Sequence, residues 1–158
     1  MRFGLLSSVF ILEKAKFIFA TSCLSKDETE IVKNAIKTLG KDIATVQSSW
    51  SSEVTHVVLG ESGTLSIKVV NALAFGTYIV KSKFLQDLVR CLDSKQSLPD
   101  ACHSDYLPTL TESISSEWKN SLAPDKTRKS IFSGSTFAFA NERQQSKYKA
   151  SLYNPNVH

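Results

Sequence analysis

Between residues 17 and 93, short apolar runs take turns with stretches in which apolar side chains return every three or four positions. That alternation constrains the fold more than any other feature of the chain. Residues 16–21, 43–46, 55–59 and 78–80 are rich in β-branched and aromatic side chains and read as strands. The third of them, Thr55-His56-Val57-Val58-Leu59, shows no polar alternation, as a parallel strand covered on both faces should not. Ser25 reads as a helix cap, with Asp27 and Glu28 in the first turn, where acids favour the positive end of the helix. Ile31, Val32, Ala35, Ile36 and Leu39 line that helix, and Gly40 stops it. Thr64 reads as the cap of a second helix, with Leu65, Val69, Ala72 and Leu73 on one face and Gly76 at its end. Ser82 opens a third, lined by Phe84, Leu85, Leu88, Val89 and Leu92. The order β-α-β-β-α-β-α predicts an α/β fold, a parallel sheet with helices on both faces and right-handed crossovers.

Composition narrows the class. The chain has 158 residues, 42% hydrophobic and 22% charged, with 6 Gly and 4 Pro, which excludes collagen-like, low-complexity and largely disordered proteins. The net charge of +4 suits an acidic partner without demanding one. Cys23, Cys91 and Cys102 are odd in number and form no CxxC pair, which argues against a disulfide framework and a structural zinc site and fits a reducing compartment. The apolar run 3–12 imitates a weak leader, but Glu13, Lys14 and Lys16 interrupt it before the next apolar run. It reads as a strand belonging against something else. No stretch approaches the roughly 20 apolar residues of a membrane span, so no membrane partner is expected.

The flanks differ from the centre. Residues 95–127 carry Ser, Thr, Pro99, Pro108 and Pro124 with no sustained apolar period and read as a linker, with a short helix around Trp118. From residue 128 a new unit opens, and its strand at 136–140 echoes 17–21. The echo suggests a tandem repeat cut short.

Three blocks carry a resemblance. Phe17-Ile18-Phe19-Ala20-Thr21-Ser22, then Thr55-His56-Val57-Val58, then Gly76-Thr77-Tyr78-Ile79-Val80-Lys81-Ser82-Lys83-Phe84-Leu85 resemble a BRCT domain over 17–94, with Phe84 where that family usually has Trp. The resemblance implies a four-stranded parallel sheet in the order 2-1-3-4. Residues 1–16 resemble the last strands of a forkhead-associated (FHA) domain, and 128–158 the opening of a second BRCT domain. This order resembles a scaffold subunit of the nuclear complex that senses DNA double-strand breaks, of which the chain would be a fragment or partial gene product. The implied partners are a phosphorylated mediator of the DNA damage checkpoint type carrying Ser-Asp-Thr motifs, and nuclease and ATPase subunits reached through regions absent here.

The chemistry follows from topology. In an open parallel sheet ligands sit beyond the carboxyl ends of the strands. The first and third strands should be central neighbours, which brings the Ser22-Cys23-Leu24 turn towards the start of the second helix. Ser22 offers a hydroxyl, Cys23 a backbone N–H and Lys68 an ammonium, a set suited to a phosphate and, on a protein, to phosphoserine. The resemblance matches the same three residues to the Ser/Thr, the following amide and the Lys of phosphopeptide-binding BRCT domains, with Cys23 where many members have Gly. The alternatives are a structural BRCT scaffold that reads no phosphate and a small cysteine hydrolase built on Cys102 and His103, near Asp105. His56 reads as a core histidine, and Thr64 with Ser66 as a helix start. Lys126, Arg128, Lys129, Arg143, Lys147 and Lys149 form a local positive excess, a solvated face by default and otherwise a weak DNA contact. Neither GxGxxG nor GxxxxGK[ST] is present, and no cofactor or metal is expected.

Overall fold

The computed structural model describes residues 16–61, 63–94, 96–110, 122–130, 134 and 142–143. The expected strands at 3–12 and 136–140 and the short helix around Trp118 lie outside the described residues. Strands β1 (Phe17–Ser22), β2 (Ala44–Gln47), β3 (His56–Leu59) and β4 (Tyr78–Val80) form one parallel sheet in the order β2-β1-β3-β4. Helices α1 (Lys26–Leu39), α2 (Ile67–Phe75) and α3 (Ser82–Ser94) connect or follow them. This is the expected α/β class and strand order.

Local chemistry sets the helix ends. Ser25 and Glu28 form a reciprocal cap: the Ser25 hydroxyl accepts from the Glu28 N–H at 3.2 Å, and the Glu28 carboxylate accepts from the Ser25 N–H at 2.8 Å. Helix α2 departs from expectation. Its cap is Ser66, whose hydroxyl accepts from the Val69 N–H at 3.4 Å, and not Thr64. The Thr64 hydroxyl lies instead 3.6 Å from the Cys23 thiol. Gly76 ends α2 at φ 64°, a conformation glycine adopts without steric cost.

The sheet separates two cores. On one face Phe19, Ala44, Val58 and Val80 meet Val32, Ala35 and Leu39 of α1 and Phe84, Leu85 and Leu88 of α3. On the other, Ala20, Val57, Leu59 and Ile79 meet Val69 and Ala72 of α2. All four residues of β3 are buried, which explains its lack of alternation. The stretch read as a linker is docked rather than loose. Ala101, Leu98 and Tyr106 pack on the first core, and Leu122 and Leu110 on the second. The Tyr106 carbonyl accepts the Lys81 N–H at 2.8 Å, and its hydroxyl donates to Asp87 at 3.0 Å.

His56 opens β3 inside an aromatic cluster. Its ring stacks on Tyr78 and Phe84 at centroid distances of 4.9 and 5.2 Å, with Phe17 and Phe19 tilted against it at 5.5 and 5.4 Å. It is 6% exposed, and burial pushes its pKa down from 6.5 to about 4. The far end of β3 meets β1 through backbone alone. Gly60 donates its N–H to the Ser22 carbonyl at 3.1 Å, and a Cβ built on Gly60 would overlap the Cys23 carbonyl oxygen and lie 2.9 Å from its carbon.

Two stability measurements follow. An imidazole with a depressed folded pKa contributes stability that is complete above 6.5 and lost as the unfolded chain takes up the proton. Denaturant titration should therefore show a loss of about 2 kcal/mol between pH 7 and pH 5, above the range of ordinary carboxylates, and His56→Phe should flatten that window. Gly60→Ala should cost about 1–3 kcal/mol, because the overlapping atom is backbone and cannot rotate away; an unchanged denaturation midpoint would refute the close approach.

Candidate functional site

Strand β1 ends at Ser22, and the chain then turns through Cys23 at φ 53°. Cys23 is the one non-glycine residue with positive φ among the described residues. A side chain there is held at a cost of about 1–2 kcal/mol, so the surroundings must fix it. Gly60 does so by touching the Cys23 carbonyl, and the Cys23 thiol reaches the Ser22 and Thr64 hydroxyls, each at 3.6 Å. A backbone hydrogen bond from Thr64, those two hydroxyls and the Lys68 charge hold the thiol below its ordinary pKa against the opposing effect of burial. The Cys23 N–H has no acceptor among the described residues.

Ser22 lies on the α2 face, following Ile18 and Ala20 in the alternation of β1. Its hydroxyl oxygen is 2.6 Å from that of Ser66, the cap of α2. Ser66 accepts from the Val69 N–H, so its own proton is available to Ser22. The Ser22 hydroxyl donates to the Cys23 thiol at 3.6 Å. Lys68, the second residue of α2, extends back to the same place and donates to the Thr21 carbonyl at 2.8 Å. Ser22, Cys23 and Lys68 therefore meet at the carboxyl end of β1, as parallel pairing of β1 with β3 requires.

The two helix N-termini at this end of the fold are charged oppositely. Helix α1 has Asp27 and Glu28 in its first turn, whereas α2 has no acidic residue there and has Lys68. A cation at the positive end of a helix is unfavourable unless an anion joins it. Glu28 does not serve that purpose, since its carboxylate is occupied by the N–H groups of Ser25 at 2.8 Å and Glu61 at 2.9 Å. Burial raises its pKa, but these bonds and the Ser25 hydroxyl together hold it below the usual carboxylate range. Glu28 thus ties the loop after β3 to the start of α1.

Ser66, Thr64, Gly60 and Glu28 were not singled out as site residues from the sequence. The available signal was the spacing Thr64-x-Ser66-x-Lys68, two hydroxyls and an amine on alternate positions entering a helix. Other candidates separate. His56 is buried at the opposite end of β3. Beside Asp100, burial and the neighbouring carboxylate push the Cys102 thiol up, the reverse of what a nucleophile needs. His103 caps its own turn, accepting from the Asp105 N–H at 3.3 Å. Arg128 lies 3.9 Å from Asp125, while Lys147 and Lys149 fall outside the described residues. Among the described residues there is no cluster of three or more His, Cys, Asp or Glu able to hold a metal, and no helix long and apolar enough to cross a membrane.

The BRCA1 C Terminus (BRCT) domain family model matches residues 8–89. Nibrin of Gallus gallus is 31% identical over 147 residues, covering 93% of this chain and 19% of the relative. Nibrin of Mus musculus is 29% identical over 150 residues, covering 95% and 19%. The chain thus spans about a fifth of the length of these relatives. A solved structure, Rad4 BRCT1,2 in complex with a Crb2 phosphopeptide, aligns with a TM-score of 0.46 and 18% identity over 68% of this chain and 63% of that one. With more than half of its residues matched by the family model, and with the family's sheet order, the chain belongs to the BRCT family.

Proposed function

We propose that the chain is a non-catalytic phosphopeptide-reading scaffold module that captures a phosphoserine at the carboxyl end of β1. The Ser22 hydroxyl and the Cys23 N–H donate to phosphate oxygens, and the Lys68 ammonium supplies the charge. One of the three Lys68 protons already goes to the Thr21 carbonyl, and two remain for the phosphate. Charge-assisted bonds of this kind are about twice as strong as neutral ones. A dianion here would also relieve the lysine at the start of α2. The single observation that supports the reading most is this cation, without an ion pair among the described residues, beside the Ser22 hydroxyl and the Cys23 N–H at a helix N-terminus with no acid in its first turn.

The likeness to nibrin over nearly the whole chain supports a setting in DNA double-strand-break repair and checkpoint signalling in the nucleus. The partner class is a phosphorylated checkpoint mediator with Ser-Asp-Thr motifs, and further subunits of a repair complex would be reached through other parts of a longer protein. In that arrangement 1–16 and 128–158 belong to FHA and second BRCT neighbours. A structural scaffold that reads no phosphate has one observation in its favour. Ser22 with Ser66, and Lys68 with Thr21, already satisfy one another in part.

Titration of matched phosphorylated and unphosphorylated Ser-Asp-Thr peptides separates the two. Wild type should prefer the phosphorylated form. Lys68→Ala should lose about 1.5–3 kcal/mol of that binding, roughly 10- to 150-fold, with an unchanged thermal midpoint. Equal binding of the two peptides would leave the scaffold role.

A further inference from the structure

Strand β1 presents its last two side chains to opposite faces of the sheet. Ser22 turns to α2, and Thr21 follows Phe17 and Phe19 to the face covered by α1 and α3. Beside Thr21 a groove of about 600 Å³ opens between α1 and the edge strand β2, and it includes Ser22 and Cys23. That volume lies in the ~300–1,000 Å³ range of ligand sites. Its walls are apolar, from Leu24, Val32, Ile36 and Val46. The groove exists because α1 covers Ala44 of β2 but not Val46, two residues further along the same face and 42% exposed. Lys33 and Lys37 stand on its α1 side, four positions apart and so on one side of the helix. Lys37 has no ion pair among the described residues, and Lys33 pairs only with Glu30, both of them largely exposed.

We infer that this groove takes the peptide segment next to the phosphoserine, with one aliphatic side chain seated on Val46 and Ile36 and an acidic residue beside it facing Lys33 and Lys37. The inference rests on the phosphopeptide reading above. Continuity is what selects this occupant: a chain leaving a phosphate held at Ser22 crosses Cys23 and enters the groove directly. The apolar floor selects the aliphatic residue, and the two lysines select the acid.

The test is a phosphoserine peptide library with an unphosphorylated counterpart, passed over the 158-residue chain. It is degenerate over about five positions on each side, the reach of an extended chain at ~3.3 Å per residue. Phosphorylated peptides should be retained with Leu, Ile or Val enriched at one position and Asp or Glu next to it. Val46→Glu should abolish the aliphatic enrichment and weaken the selected peptide about tenfold, as expected for one buried aliphatic side chain. Lys37→Glu should abolish the acidic enrichment. Phosphoserine-dependent capture without either enrichment, or enrichment unchanged in Val46→Glu, overturns the groove and leaves the phosphate site standing. Capture that ignores phosphorylation overturns the reading of Ser22 and Lys68, and this extension with it.

Discussion

The backbone contact between Gly60 and the Ser22–Cys23 turn governs this end of the molecule. Two parallel strands can run side by side with any residues of suitable size, but their exits diverge unless something holds them. Here the exit of β3 is pressed against the exit of β1, with Gly60 donating to the Ser22 carbonyl and leaving no room for a side chain beside Cys23. The contact holds Cys23 at positive φ, and that turn sets the course of the chain beyond Ser22. Glu28 reinforces it from a third element by accepting from Glu61, the residue after Gly60. The loop after β3 then delivers Ser66 and Lys68 to Ser22.

Much of this architecture was legible in the residues. The unalternating strand at 56–59 announced a sheet covered on both faces, and the glycines after α1 and α2 marked the helix ends. Parallel pairing of the first and third strands then made the approach of Ser22 to Lys68 foreseeable. What escaped had tertiary causes. Thr64 and Ser66 are both competent caps, and local propensity does not choose between them. The outcome shows only in the fold, where Ser66 accepts from the Val69 N–H and the Thr64 hydroxyl lies beside Cys23, 41 positions away. Residues 96–110 looked like a linker because Leu98, Ala101 and Tyr106 follow no period. They are anchored singly, by a core contact or a hydrogen bond to another element, and such anchoring leaves no repeating trace in sequence. The groove escaped for a related reason, since Val46 looks like any strand residue until the neighbouring helix is seen not to cover it.

The distribution of polarity across the sheet gives the two faces of its carboxyl end different roles. On the α2 side the groups are hydroxyls, an amide and an amine, arranged as donors. On the α1 side the surface is apolar with lysines at its margin. A phosphate finds its hydrogen-bond donors on the first, whereas an aliphatic side chain suits only the second. One peptide touching both would be oriented by that difference, and neither face alone would fix its direction.

Stability and recognition occupy opposite ends of the same strands. His56 pairs in register with Phe19 and Tyr78, at the amino-terminal half of the sheet, where the aromatic rings pack around a neutral imidazole. Ser22 pairs with Leu59 at the other end. The apolar side chains that hold the sheet together are buried whether or not an anion is present. Lys68 hydrogen-bonds the Thr21 carbonyl, and its helix is secured by Val69 and Ala72, which face inward. Removing the amine should therefore weaken recognition without loosening the fold. Filling the space at Gly60 strikes the backbone that both depend on, so it should damage stability and recognition together. The strain at Cys23 belongs to the second group, because a turn that costs free energy persists only while neighbouring strands and loops hold it in place.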